Sequence, residues 1–150
     1  MSGRTVTHAT FVLERTYDTS PARVFAAWSE PAAKARWFAD AEDWERSAFE
    51  LDFRVGGREL YRGRPKGGAP VTYEASYQDI VTDERIVYAY AMHVDETRIS
   101  VSLATVEISP AGNGTRLTFT EQGAFLDGHE VPGQREQGMG TLLDALGAEL

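Results

Sequence analysis

The side chains with most to offer chemically in this 150-residue chain are aromatic: seven Phe, six Tyr and three Trp. Tyr61, Tyr73, Tyr77, Tyr88 and Tyr90 fall on runs that alternate in a strand-like way. On one sheet face they would form an apolar wall with hydroxyl tips, suited to orienting a flat guest. The competing assignment is plain core packing, or the outer face of a sheet. The three histidines, His8, His93 and His129, share no helical face at ligand spacing, and His129-Glu130 lacks the second His of a zinc motif. His93 closes a strand-like run after Met92 and is a candidate base. Asp40, Glu42, Asp43 and Glu45 crowd one acidic segment around Trp44, which reads as a solvated loop. Acid–base work needs a carboxyl in a dry pocket instead. No serine sits in a G-x-S-x-G elbow. The G-x-G of QGMGTLLDALG follows no strand and lacks a third glycine, so it is no dinucleotide fingerprint. Cysteine is absent, which excludes disulfides and thiolate chemistry. The expectation is no catalytic constellation, no metal and no cofactor.

Positioning these residues falls to a regular series of elements. Residues 8–17 alternate as a strand. Ser20 is a natural N-cap and Pro21 suits the first helical position. Val24, Phe25 and Trp28 share one apolar face, Glu30-Pro31 breaks the helix, and 32–38 reads as a second short one. Trp28, Trp37 and Phe38 on these helices can seal one end of a core, and Trp44 is either a lid or a loop anchor. A period of two follows: 49–53, 58–64, 71–81, 85–93, 97–109 and 115–122, with turns at Gly56-Gly57, GRPKGGAP, Asp83-Glu84 and PAGNG. Close succession favours antiparallel hairpins. In 97–109 the apolar positions change parity, from Ile99, Val101 and Leu103 to Val106 and Ile108. This predicts a bulge near Ala104-Thr105. Residues 134–150 place Met139, Leu142, Leu143, Leu146 and Leu150 at helical spacing. Gly138, Gly140 and Gly147 are costly there, by about 1 kcal/mol each relative to Ala. Close approach to the sheet, or room for a ligand, would explain them, as would a helix that begins late and is frayed.

The length suits a single domain over 1–150. A net charge of −8 argues against a nucleic-acid partner. Arg54, Arg58, Arg62, Arg64 and Lys66 read as the wet side of a hairpin. No apolar run nears the ~20 residues of a membrane span. MSGRTVTHATFV does not read as a signal peptide. A cytoplasmic protein without membrane contact is expected.

The runs SPARVFAAWSEPAAKARWF, FRVGG, DERIVY, SLATVEI, GTRLTFTEQGAF and LLDALGAEL, in this order, extend over nearly the whole chain from about Thr7 to Leu150. Together they resemble the bacterial relatives of the activator of heat-shock-protein-90 ATPase, within the START-like (SRPBCC, birch-allergen-like) superfamily. The resemblance implies an α+β helix-grip fold. A curved antiparallel sheet of about seven strands wraps around a long C-terminal helix, with two short helices after the first strand. It also implies an apolar cavity between helix and sheet. The residues expected to line it are Trp37, Phe38, Tyr61, Tyr73, Tyr77, Tyr88, Tyr90, Phe119, Met139, Leu142, Leu143 and Leu146. One departure is Met139, which stands where many relatives carry Trp. The implied function is binding of a small hydrophobic, aromatic or polyketide-like molecule. The alternatives are a cyclase or hydratase acting on such a ligand, and a co-chaperone-like domain with a protein partner, or a homodimer. The eukaryotic activator has an additional N-terminal domain that these 150 residues do not hold, so ATPase activation is not expected.

Overall fold

The computed structural model describes residues 3–150. In chain order the elements are β1 (Val6–Tyr17), α1 (Pro21–Ser29), α2 (Pro31–Lys34), a π-helical turn (Ala35–Ala39), β2 (Trp44–Leu51), β3 (Arg58–Pro65), β4 (Val71–Val81), β5 (Arg85–Val94), β6 (Thr97–Ala111), β7 (Gly114–Leu126) and α3 (Pro132–Ala148). The seven strands form one antiparallel sheet in the order β1-β7-β6-β5-β4-β3-β2. Hairpins account for every neighbour pair except β1 with β7. β1 and β2 therefore lie at opposite edges, and the helical segment between them must cross the sheet. It crosses on the same side as α3, so the concave face is covered by two helical layers, one from each half of the chain.

Local chemistry explains the crossing. Ser20 Oγ accepts from the Arg23 N–H at 3.2 Å, and Pro21 opens α1, as the sequence predicts. Pro31 restarts the chain as a single α turn. The turn then widens: the Asp40 N–H donates to the Ala35 carbonyl at 2.9 Å, a spacing of five residues. Such π turns are rare and often stand at functional sites. This one rotates Trp37 inward, where its Nε1–H donates to the Ala27 carbonyl at 2.9 Å and ties the two helical pieces together. α3 begins at Pro132, two residues before the expected start. Gln134 caps it by accepting the Val131 N–H at 3.2 Å.

Alternation assigns the concave face. Phe11 and Tyr17 of β1, Glu59 and Tyr61 of β3, Tyr73, Ala75 and Tyr77 of β4, Ile86, Tyr88 and Tyr90 of β5, and Leu117, Phe119, Glu121 and Phe125 of β7 are all buried. α3 closes on this face with Met139, Leu143 and Leu146 buried and Leu142 half-buried.

Three expectations change. The register of β6 runs unbroken through Ala104-Thr105 against both neighbours. The irregularity lies at Ile99 instead, opposite the Met92/His93 step of β5. The parity change has a simpler cause. Ser100, Ser102, Ala104, Val106 and Ile108 all face inward, while Val101 and Leu103 are apolar residues on the outer face, 43% and 39% exposed. Trp44 is the first residue of β2 rather than part of the acidic loop. The helix glycines divide. A Cβ on Gly147 would stand 3.0 Å from the Tyr17 ring, and one on Gly140 3.1 Å from Arg15 Nη2, whereas Gly138 faces open space. Two of the three mark close approach to β1.

Candidate functional site

Between sheet and helices lies a row of tyrosines. Tyr77 pairs with Tyr88 across β4 and β5, their ring centroids 5.9 Å apart; Tyr88 and Tyr90 are 6.0 Å apart, and Tyr73 and Tyr90 4.9 Å. Phe38 continues the row with its edge toward Tyr73 at 5.0 Å and Tyr61 at 6.2 Å, and Trp37 abuts Phe38 at 5.7 Å. Trp28 stacks on Phe119 at 6.4 Å and meets Trp37 edge-on at 4.8 Å, so Phe119 belongs with Trp28 and Phe11 rather than with the tyrosines. Of the expected lining residues, the structure thus gathers Trp37, Phe38, Tyr61, Tyr73, Tyr77, Tyr88 and Tyr90 into one aromatic group. Met139, Leu142, Leu143 and Leu146 face the same core from α3.

Two buried ion pairs flank this row, one beside Tyr77 and one beside Tyr90, and neither was foreseen. At the first, Lys34 Nζ lies 2.7 Å from Glu59 Oε1, and both side chains are 0% exposed. Tyr77 donates to the same oxygen at 2.6 Å. Four rings surround the ammonium, those of Phe38 at 4.6 Å, Trp28 at 5.3 Å, Tyr88 at 5.6 Å and Trp37 at 5.9 Å. Burial pushes the Lys34 pKa down, with Glu59 opposing the shift. At the second, Tyr90 donates to Glu121 Oε2 at 2.7 Å, and Arg135 of α3 reaches the same oxygen at 3.3 Å. Arg135 also donates to the Tyr90 hydroxyl at 2.9 Å and to Ser100 Oγ at 2.8 Å, and grips Glu130 through two nitrogens. Its guanidinium lies over the Phe125 and Tyr90 rings at 5.2 and 5.7 Å. Burial works against the Arg135 charge, but Tyr90, Glu130 and Glu121 outweigh it and hold its pKa above the ordinary arginine value.

The tyrosines feel this environment. Burial raises the pKa of Tyr73, Tyr77, Tyr88 and Tyr90. Glu59 adds to the rise at Tyr73 and Tyr77, and Glu121 at Tyr90. All four stay protonated donors at neutral pH. Each carboxylate uses one oxygen and leaves the other bare: Glu59 Oε2 and Glu121 Oε1 are buried without a hydrogen-bond partner, as is Ser102 Oγ.

α3 is fastened to β1 along its later turns and to the π-helical turn, where Arg36 Nε donates to Glu149 at 3.2 Å. Tyr17 donates to the Leu143 carbonyl at 2.8 Å, and Arg15 Nε pairs with Asp144 at 2.7 Å. Its first two turns present Gly133, Gln134, Glu136, Gln137 and Gly138 to solvent, and Arg135 is the side chain there that reaches inward.

The bland assignments are settled by exposure. Asp40, Glu42, Asp43 and Glu45 are exposed, Asp40 facing Arg46 at 3.2 Å and Glu45 facing Arg64 at 3.3 Å. Arg54, Arg58, Arg62, Arg64 and Lys66 are exposed as well. His93 has the opposite parity to Tyr88 and Tyr90, and its buried Nδ1 meets no partner. Trp44 is half-buried with its ring 6.4 Å from Tyr61. Among the described residues no group of three or more His, Cys, Asp or Glu side chains is placed to hold a metal, and no helix is long and apolar enough to cross a membrane. Two open grooves, of about 520 and 560 Å³, lie on the outer face of the sheet. One is flanked by Glu14, Arg85, Glu107 and Arg116, the other by Glu50, Arg58, Arg62 and Glu74.

Sequence reasoning passed over Lys34, Glu59, Glu121 and Arg135 because charged residues are ordinarily assigned to solvent. A signal was present nonetheless. Glu59 shares its parity with Tyr61 on β3, Glu121 with Phe119 on β7, and Lys34 lies three and four residues before Trp37 and Phe38.

This arrangement defines a helix-grip protein with a polar-tipped aromatic interior. The chain belongs to the family described as Activator of Hsp90 ATPase homolog 1-like protein, whose pattern matches residues 18–150. It is similar to the Mll3558 protein of Rhizobium loti, at 49% identity, with 97% of this chain and 99% of that one covered and a TM-score of 0.91. It is also similar to a protein of Rhizobium leguminosarum, at 46% identity, with 97% and 96% covered and a TM-score of 0.93. An AHSA1-like protein from Aeromonas hydrophila shares the fold at 20% identity, with 94% and 91% covered and a TM-score of 0.73. No curated protein matches the chain. Folds of this START type commonly bind hydrophobic ligands.

Proposed function

We propose that the protein binds a small, flat, largely apolar and partly oxygenated molecule between the tyrosine row and α3. The observation that carries this reading is the row itself: four buried tyrosines share one wall, and Tyr77 and Tyr90 each donate to the carboxylate of an ion pair deep in an aromatic interior. A core built for stability alone gains little from buried ion pairs, since apolar residues of similar volume are commonly as good or better. Entry is by movement of the first turns of α3, where Arg135 is the inward anchor. The test is a thermal-shift screen of aromatic and polyketide-like compounds on wild type and on Leu143→Trp. Leu143 is fully buried, so the larger ring occupies the guest's space. A ligand of the folded state raises the melting temperature of the wild type, and the variant loses that shift. If no compound shifts the wild type, the binding reading fails and a surface partner replaces it.

A second reading rests on the Lys34–Glu59–Tyr77 group. An ammonium whose pKa is lowered by burial, beside a carboxylate and a phenol, is an arrangement able to move protons. In this reading the bound molecule is cyclised or dehydrated. The check is product formation from any compound that passes the screen, with loss of turnover but retained binding in Lys34→Met.

A further inference from the structure

The charges around the tyrosine row are unequal. Two cations, Lys34 and Arg135, face three carboxylates, those of Glu59, Glu121 and Glu130. Every nitrogen of the Arg135 guanidinium already donates to Glu130, Glu121, Tyr90 or Ser100. The unmet capacity lies with acceptors. Glu59 Oε1 receives both Lys34 and Tyr77, and Glu121 Oε2 receives both Tyr90 and Arg135, while Glu59 Oε2 and Glu121 Oε1 receive nothing. Both carboxylates are almost wholly buried, with residue exposures of 1% for Glu59 and 0% for Glu121. A bare carboxylate oxygen cut off from water is among the most expensive polar groups a fold can hold. The same economy operates at each ion pair: the cation and the tyrosine take the same oxygen and leave its twin open. Ser102 Oγ, whose strand position pairs with Tyr90 on one side and Gly123 on the other, is likewise unpartnered.

Building on the binding reading above, we infer that the guest is a neutral or cationic molecule carrying a hydrogen-bond donor, phenolic or alcoholic O–H or N–H, received by Glu121 Oε1 beside the start of α3, with Glu59 Oε2 open to a second donor of a longer guest. Acids are excluded by the same geometry. A carboxylate or phosphate would meet a surplus of negative charge and cations that are already engaged. The two glutamates stand on β3 and β7, four strand spacings apart, about 19 Å along the sheet. That span exceeds a two-ring skeleton, so a small guest meets the Glu121 oxygen alone and only an elongated one reaches both. The Tyr73 ring packs against Tyr90, 4.9 Å away.

The experiment compares three probes of one skeleton on the full chain: 2,6-dihydroxynaphthalene, its dimethyl ether and naphthalene-2,6-dicarboxylate. Affinities are read by calorimetry and thermal shift at pH 7. The diol is expected to bind at least tenfold more tightly than the ether, and the dicarboxylate not to bind measurably. Glu121→Gln supplies the second measurement. Its amide oxygen keeps the contacts of Oε2, with Arg135 still held by Glu130, while its NH₂ turns the bare acceptor into a donor. The diol's advantage over the ether should then fall about tenfold. Equal binding of diol and ether to the wild type overturns the donor inference while the binding reading stands. It would mean that water serves the bare oxygens. Preferred binding of the dicarboxylate also overturns the inference and identifies the cations as the recognition element. If none of the three binds, and the wider screen is also empty, the binding reading fails and this inference falls with it. If Glu121→Gln does not fold, the diol-to-ether ratio on the wild type decides alone.

Discussion

Replacing Lys34 with Met tests whether the first ion pair is as dry as its geometry says. The apolar stem is retained and the ammonium removed, so Glu59 keeps only Tyr77 as a donor. Both partners of the pair are 0% exposed, and water cannot take over. Breaking a buried pair by removing one charge costs about 3–5 kcal/mol. For a domain of this size 1 kcal/mol moves the melting temperature by roughly 2–4 °C, so a drop of about 6–20 °C is expected. The double variant Lys34→Met/Glu59→Gln removes both charges and leaves Tyr77 an acceptor. It should lie within about 1–2 kcal/mol of wild type, less destabilised than the single variant, because neutral replacements of a buried pair are often tolerated. Urea or thermal unfolding of wild type, both single variants and the double variant completes the cycle. A loss under about 1 kcal/mol for Lys34→Met, or simple addition of the two single effects, would refute the argument, since exposed pairs behave that way.

Other consequences can be checked with equal economy. All six tyrosines have raised pKa values, that of Tyr17 to about 12 through burial. Their stabilisation is complete below the unfolded value near 10 and is lost as pH rises through the folded values. The four of the row alone should cost about 5 kcal/mol per pH unit above that point. Phenolate absorbance and circular dichroism should change together in one alkaline transition, and tyrosines that ionise near pH 10 with the fold intact would contradict the burial. Gly138→Ala, in open space, should stabilise by up to about 1 kcal/mol, as read from urea midpoints. Gly147→Ala should not, because its Cβ meets a Tyr17 ring tied to the Leu143 carbonyl. Arg135→Leu leaves Glu121 and Glu130 unbalanced near the start of α3. Faster hydrogen exchange should appear there and be absent from the Tyr17-anchored end.

The course of the backbone was readable from residue order because it depends on local rules. Ser20-Pro21 and Glu30-Pro31 bound a helix through capping and the fixed φ of proline. Alternation from Phe49 onward marks strands through the two-residue pleat, and the spacing of Met139, Leu143 and Leu146 marks one helical stripe. The tyrosines announced a shared face for the same reason. β6 shows the limit of such reading. Its inward face is built from Ser100, Ser102 and Ala104 while Val101 and Leu103 face out, so hydrophobicity pointed to the wrong side. The helix glycines show it again, since only the placement of Tyr17 and Arg15 separates Gly147 and Gly140 from Gly138. The ion pairs lay furthest out of reach. Lys34 and Glu59 are 25 residues apart, and Arg135 and Glu121 14 apart. Each residue taken singly belongs in water, because burying one charge is prohibitive. Only when the crossing helices and α3 carry a cation onto each buried carboxylate does the interior become the better place for both, and that condition is a property of the pair in space.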